Sequence, residues 1–118
     1  GKPVMVVGTP GGSRIITAVL QTMINAIDYG MTVQEAVDAP RFHQQWLPDV
    51  TNVETFAFSA DTRKILTDMG HNLGVPQPAN HLAAIIVGAP SLGGKPVANN
   101  RFYGANDPRR NTGLALGY

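Results

Sequence analysis

The 118-residue sequence contains no cysteine, which removes disulfides, thiolate zinc sites and a cysteine nucleophile from consideration. A cytoplasmic and an exported location both stay open. Charge is scarce as well: Asp, Glu, Lys and Arg make up 14% of the chain, against about 25% in an ordinary soluble domain. Such a surface is suited to meeting other protein, so the chain is expected to be incomplete on its own. Nine basic and eight acidic residues leave a net charge of +1 and form no basic run, so neither nucleic acid nor an anionic membrane is expected as a partner. No apolar stretch approaches the roughly 20 residues that span a bilayer, and the first residues lack the charged-then-apolar order of a signal peptide. Repeats, low-complexity tracts and linkers are absent, and the length suits one domain or part of one.

What is present is a succession of short apolar segments punctuated by Gly and Pro. Val4-Met5-Val6-Val7, stopped by Gly8-Thr9-Pro10-Gly11-Gly12, predicts a strand buried on both faces. From Ser13 onward, Ile15, Ile16, Val19, Leu20, Met23, Ile24 and Ile27 fall on one helical stripe, and Gly30 supplies the stop. Thr32 followed by Glu35 is a capping-box pattern for a second helix that Pro40 ends. RFHQQWLP, residues 41–48, has neither period and is expected to be an ordered loop that Phe42 and Trp46 pack on the core. Thr51 to Phe58 is a candidate strand. Ser59, Asp61 and the apolar set Ile65, Leu66 and Met69, closed by Gly70, predict a third helix. Leu82 to Val87 predicts a second buried strand, Gly93-Gly94 a turn into an antiparallel neighbour at Lys95 to Ala98, and the residues from Tyr103 a tail rich in turn formers. The fold class expected is α+β.

The order strand, Pro10-Gly11-Gly12-Ser13, helix is the chief chemical feature. It exposes successive backbone N–H groups at a helix head, where no intrahelical acceptor exists and the dipole attracts negative charge. Two glycines admit a carbonyl close to the backbone. Locally, a plain strand-to-helix turn is the favoured reading, since such turns recur in many α/β folds. Two other motifs fail. A phosphate loop counted from Gly8 needs glycine where Ser13 stands and lysine where Arg14 stands, and a serine-hydrolase elbow needs glycine where Ile15 stands. Ser13 is therefore expected to cap the helix through its hydroxyl.

His43, His71 and His81 are scattered and have no acidic residue at a helical ligand spacing, so structural roles and no metal are expected. Arg41 and the Arg109-Arg110 pair suit salt bridges or loop anchors. Asp107, in Asn106-Asp107-Pro108, suits a loop brace rather than a base.

The stretch GTPGGSRIITAVLQTMINAIDYGMTVQEAVDAPRFHQQWLPD resembles the corresponding part of γ-glutamyltransferases, also called glutathione hydrolases. The likeness continues through SADTRKILTDMG and the ending YGANDPRRNTGLALGY, and so covers essentially the whole chain. It implies part of an N-terminal-nucleophile (Ntn) hydrolase αββα sandwich, with residues 1–118 forming one C-terminal segment of the small subunit. Family members cleave γ-glutamyl amides such as glutathione through an acyl-enzyme on an N-terminal threonine and pass the acyl group to water or to an amino acid or peptide. By the same resemblance, Gly11 and Gly12 supply the oxyanion-hole amides and touch the substrate. No cofactor is implied. The threonine and the residues that grip the substrate lie in the remainder of the small subunit and in the large subunit, and Gly1 cannot replace the threonine, so this chain alone is expected to be inactive. The resemblance implies a periplasmic or extracellular location. A non-catalytic module binding a small anion or carboxylate, and a structural or oligomerisation fragment, are the alternatives.

Overall fold

The computed structural model describes residues 3–88, 101–110 and 113–117. Two helices lie against one face of a three-stranded antiparallel sheet. The sheet is ordered β1-β4-β5, from strands β1 (Met5–Gly8), β4 (Ala83–Val87) and β5 (Phe102–Asn106). Met5 pairs with Ile86, and Ile86 with Tyr103, so inward residues of all three strands form continuous rows. A second, two-stranded sheet pairs β2 (Phe42–His43) with β3 (Asn52–Val53).

The helices are α1 (Arg14–Ile27), α2 (Val33–Asp38) and α3 (Ala60–Asp68). The predicted capping box at the head of α2 is present, with Thr32 accepting from the Glu35 N–H and Glu35 accepting from the Thr32 N–H. Ser59 caps α3 through the Thr62 N–H, and Gly70 follows that helix at φ 96°. The core joins Ala18 and Ala26 of α1, Val33, Ala36 and Val37 at α2, and Leu82, Ala84, Ile86 and Ala105 in and beside the sheet.

Several sequence expectations need correction. The apolar stripe of α1 exists, but Ile16, Leu20 and Ile27 are more than half exposed, and Ala18, Thr22 and Ala26 are buried on the opposite side. Small side chains at that spacing let α1 approach α2 and β1 closely. Neither Val4 to Val7 nor β4 is buried on both faces: burial alternates along β4, and Val6, at the edge of the sheet, is 61% exposed. Phe42 packs on Phe58 with ring centroids 5.2 Å apart, yet it is exposed, and Trp46 is 79% exposed with φ 74°. The Arg41–Pro48 loop is therefore held by hydrogen bonds rather than by aromatic anchors. Within the candidate strand at 51–58 only Asn52–Val53 is extended, and α3 buries no residue fully. The tail expected from Tyr103 begins instead with strand β5, which takes up residues 103–106, while residues 107–110 and 113–117 carry no strand or helix. The expected turn at Gly93-Gly94 and strand at Lys95 to Ala98 lie outside the described residues.

Candidate oxyanion site at the head of α1

β1 ends at Gly8, and Thr9 fastens the exit by donating its hydroxyl to the His81 carbonyl at 2.7 Å. The chain then turns through Gly11 at φ 138° and Gly12 at φ 60°, backbone conformations that favour glycine. A Cβ on Gly11 would lie 2.5 Å from Asn80 Nδ2, so the Asn80 side chain occupies the space a larger residue would need. A Cβ on Gly12 would meet nothing within 4 Å. The turn closes with Arg14 N–H on the Gly11 carbonyl at 3.3 Å and Ile15 N–H on the Gly12 carbonyl at 3.1 Å. Gly11, Gly12 and Ser13 are exposed, and among the described residues none of their N–H groups has a protein acceptor. Three consecutive donors at the positive end of α1 are thus left without a protein acceptor among the described residues.

Ser13 does not cap the helix. Its φ and ψ are −59° and −25°, it makes no capping bond, and its hydroxyl donates to Gln45 Oε1 at 2.5 Å. Gln45 Oε1 also accepts from His43 Nε2 at 2.9 Å, and Gln45 Nε2 donates to the Leu47 carbonyl at 2.9 Å. Because a carbonyl oxygen can only accept, His43 carries its proton on Nε2, and Nδ1 meets the Thr17 hydroxyl at 2.7 Å. His43 is buried and plays a structural part, as expected of it, while His71 is exposed and His81 half-buried at separate places. Among the described residues no His, Asp or Glu cluster is arranged to hold a metal ion.

Behind the turn lies a buried ionic cluster. Arg41 Nη2 meets Asp107 Oδ2 at 2.6 Å and also donates to the Asn80 carbonyl at 2.9 Å. Arg109 bonds Glu54 through Nε at 2.6 Å and Nη2 at 2.5 Å, meets Asp107 through Nη1 at 2.9 Å, and ties down the last carbonyls of α2 at Val37, Asp38 and Ala39. Glu54 accepts in addition from the N–H groups of Arg41 and Ala79, and Asp107 from those of Leu82 and Arg109. Burial opposes ionisation of Glu54, but the Arg109 guanidinium and the two backbone donors outweigh it and hold its pKa below the ordinary value. Asp107 behaves alike, burial being overcome by Arg109, Arg41 and the Leu82 N–H. Burial disfavours the charged form of Arg109 too, yet its two carboxylate partners raise its pKa.

The cluster and the turn share the segment from Ala79 to Leu82. Glu54 holds the Ala79 N–H, Arg41 the Asn80 carbonyl, Thr9 the His81 carbonyl and Asp107 the Leu82 N–H. A cavity of about 20 Å³, lined by Arg14, Thr17, Arg41, His43, Glu54 and Asn80 among others, lies under the first turn of α1. Gly11, Gly12 and Ser13 are not among its lining residues.

Arg41, Asp107 and Arg109 thus serve as anchors and brace, as the sequence suggested, whereas Glu54, Gln45 and Asn80 escaped it. A glutamate beside β3 and two amides in loops carry no local signal, since each takes its meaning from a partner at least 30 positions away or from a contact across the fold.

A family model described as gamma-glutamyltranspeptidase matches residues 1–117. The chain belongs to this family. It is 76% identical over its full length to a glutathione hydrolase proenzyme of Pseudomonas sp. (strain A14), and 46% identical to that of Escherichia coli (strain K12). It spans only 20% and 19% of those two proteins. Among solved structures, the T380A mutant of Helicobacter pylori gamma-glutamyltranspeptidase matches 91% of the chain at 48% identity with a TM-score of 0.77, the chain covering 54% of the matched one. The α+β arrangement is accordingly part of an Ntn-hydrolase fold, a partial domain of mixed helix and antiparallel sheet. No described helix is long and apolar enough to cross a membrane.

Proposed function

We propose that this chain is the C-terminal segment of the small subunit of a γ-glutamyl amide hydrolase and transferase, and that it contributes the oxyanion-stabilising amides of Gly11 and Gly12. One observation carries the reading: consecutive N–H groups at an exposed turn, free of protein acceptors among the described residues, at the head of a fourteen-residue helix.

In the reaction, the hydroxyl oxygen of a threonine outside these residues attacks the γ-glutamyl carbonyl carbon. The C=O π pair moves onto oxygen, and the Gly11 and Gly12 N–H groups receive that charge. Collapse expels the amine, which takes up a proton, and leaves an ester. Water or an acceptor amine then attacks the ester carbon and forms a second oxyanion at the same amides. Its collapse breaks the bond to the threonine oxygen, which takes up the proton lost by the attacking group, and releases glutamate or the γ-glutamyl product. Preset donors need no reorientation as charge develops, and one such donor is worth about 10²- to 10³-fold in rate. The partners required are the rest of the small subunit and the large subunit, and the compartment proposed is the periplasm or the exterior.

A full-length protein carrying these residues, assayed on a chromogenic γ-glutamyl anilide, is expected to release aniline with a first-turnover burst, while residues 1–118 alone release none. A correctly processed full-length protein without turnover overturns the reading and favours a carboxylate-binding module.

A further inference from the structure

Among the described residues three helices begin at a serine or threonine, and only two of the three are capped. Thr32, at ψ 158°, accepts from the Glu35 N–H, and Ser59, at ψ 162°, accepts from the Thr62 N–H. Ser13 has nearly the same φ, −59°, but ψ −25° and no cap. Serine favours capping as strongly as any residue at this place, so the departure comes from its surroundings. Gln45 Oε1 lies 2.5 Å from the Ser13 hydroxyl.

We infer that Gln45 is a positioning residue for the Gly11 and Gly12 amides, which by engaging the Ser13 hydroxyl keeps Ser13 helical and prevents it from capping α1. The inference rests on the oxyanion reading above. Gln45 is well suited to the task because its acceptor is fixed before Ser13 reaches it. Its amide nitrogen is bound to the Leu47 carbonyl and its oxygen to His43 Nε2. His43 is in turn buried and joined through Nδ1 to Thr17, one turn further along α1.

The geometric consequence falls on the glycines. With Ser13 helical, Arg14 N–H reaches the Gly11 carbonyl and Ile15 N–H the Gly12 carbonyl, and these two closures tie the peptide units of both glycines to the first turn of α1. A capping Ser13 needs the extended ψ seen at Thr32 and Ser59, a rotation of about 180° that would break both closures and release Gly11 and Gly12 from their place against α1. The hydroxyl has two mutually exclusive uses, and Gln45 decides between them.

The test uses the full-length protein and a γ-glutamyl anilide, comparing Gln45→Met with Gln45→Met combined with Ser13→Ala. Gln45 is exposed, so its replacement leaves the core intact, with melting temperature as the control. Gln45→Met is expected to lower the acylation kcat about tenfold with KM nearly unchanged, because the loss is confined to the transition state. Removing the competing hydroxyl in the same background is expected to restore kcat to within about threefold, which a glutamine that merely anchored its loop would not allow. A crystal structure of Gln45→Met should show Ser13 at an extended ψ. Parental acylation in the single variant, a double variant as slow as the single, or a helical Ser13 in that structure would each overturn the inference. A normal rate in Gly12→Val would instead remove the oxyanion reading itself, so the two failures are told apart.

Discussion

Arg41 and Asp107, 66 positions apart, meet at 2.6 Å with side chains 2% and 0% exposed. Their pairing joins the loop after α2 to the end of β5, and the same carboxylate holds the Leu82 N–H where β4 begins. Because Thr9 hangs on the neighbouring His81 carbonyl, the turn of Gly11 and Gly12 is mounted on this buried cluster as well as on its own helix.

Removing one partner of such a pair leaves a buried charge uncompensated, which costs about 3–5 kcal/mol. Asp107→Ala is accordingly expected to lower stability by an amount of that order, measurable in a urea titration of the full-length protein. Lys64→Ala, which breaks an exposed pair with Asp68, is expected to change it by under about 1 kcal/mol. Equal effects of the two substitutions would contradict the account of the cluster.

Acid should unfold the protein through the same groups. Glu54 and Asp107 have folded pKa values below their ordinary 4.5 and 3.8, so their contribution is complete above the ordinary values and is lost as pH falls through the lower folded ones. A stability profile is expected to be flat with respect to these two groups above about pH 5 and to fall below about pH 4. Glu54→Gln should flatten that decline, and an unchanged slope would show that Glu54 is not among the groups responsible.

The two glycines should differ in their tolerance of a methyl group. Gly11→Ala sets a Cβ against the Asn80 side chain at 2.5 Å as well as at an unfavourable φ, whereas Gly12→Ala meets only the φ cost, on the order of 1–2 kcal/mol. Thermal melting of the two variants should place Gly11→Ala clearly lower. The reverse order would mean that Asn80 gives way without resistance.

Periodicity and capping chemistry made much of this fold legible beforehand: the α2 capping box, the Ser59 cap and the strand-turn-helix at Gly11-Gly12 all follow from residues within a few positions of one another. What escaped was set at a distance. The α1 stripe was found, but its orientation depends on Ala18, Thr22 and Ala26 meeting α2 and the sheet, and no spacing rule tells which side of a helix a neighbour will cover. The chemistry of Ser13 by itself favours a cap, and the glutamine that its hydroxyl meets instead lies 32 positions downstream. The buried place of Glu54 depends on Arg109, 55 positions away.

Loss of the α2 cap offers a local check. Thr32→Ala removes the acceptor for the Glu35 N–H and should cost about 1 kcal/mol. Ser13→Ala in residues 1–118 removes no cap and should not reproduce a helix-capping loss in the circular dichroism of the helices. Similar losses of helicity in both variants would contradict the uncapped state of α1.

The most direct measurement is the first-turnover acylation rate of Gly12→Val in the full-length protein. A Cβ at Gly12 meets no atom of the described residues within 4 Å, so within this chain the φ cost is the principal strain, and correct processing and folding of the variant are checked alongside the rate. The account predicts a loss of about 10²- to 10³-fold in that rate in protein still folded at the assay temperature, with a melting temperature lowered by the φ strain at Gly12. A folded Gly12→Val protein that acylates at the parental rate would contradict it and leave the glycines as an ordinary strand-to-helix turn.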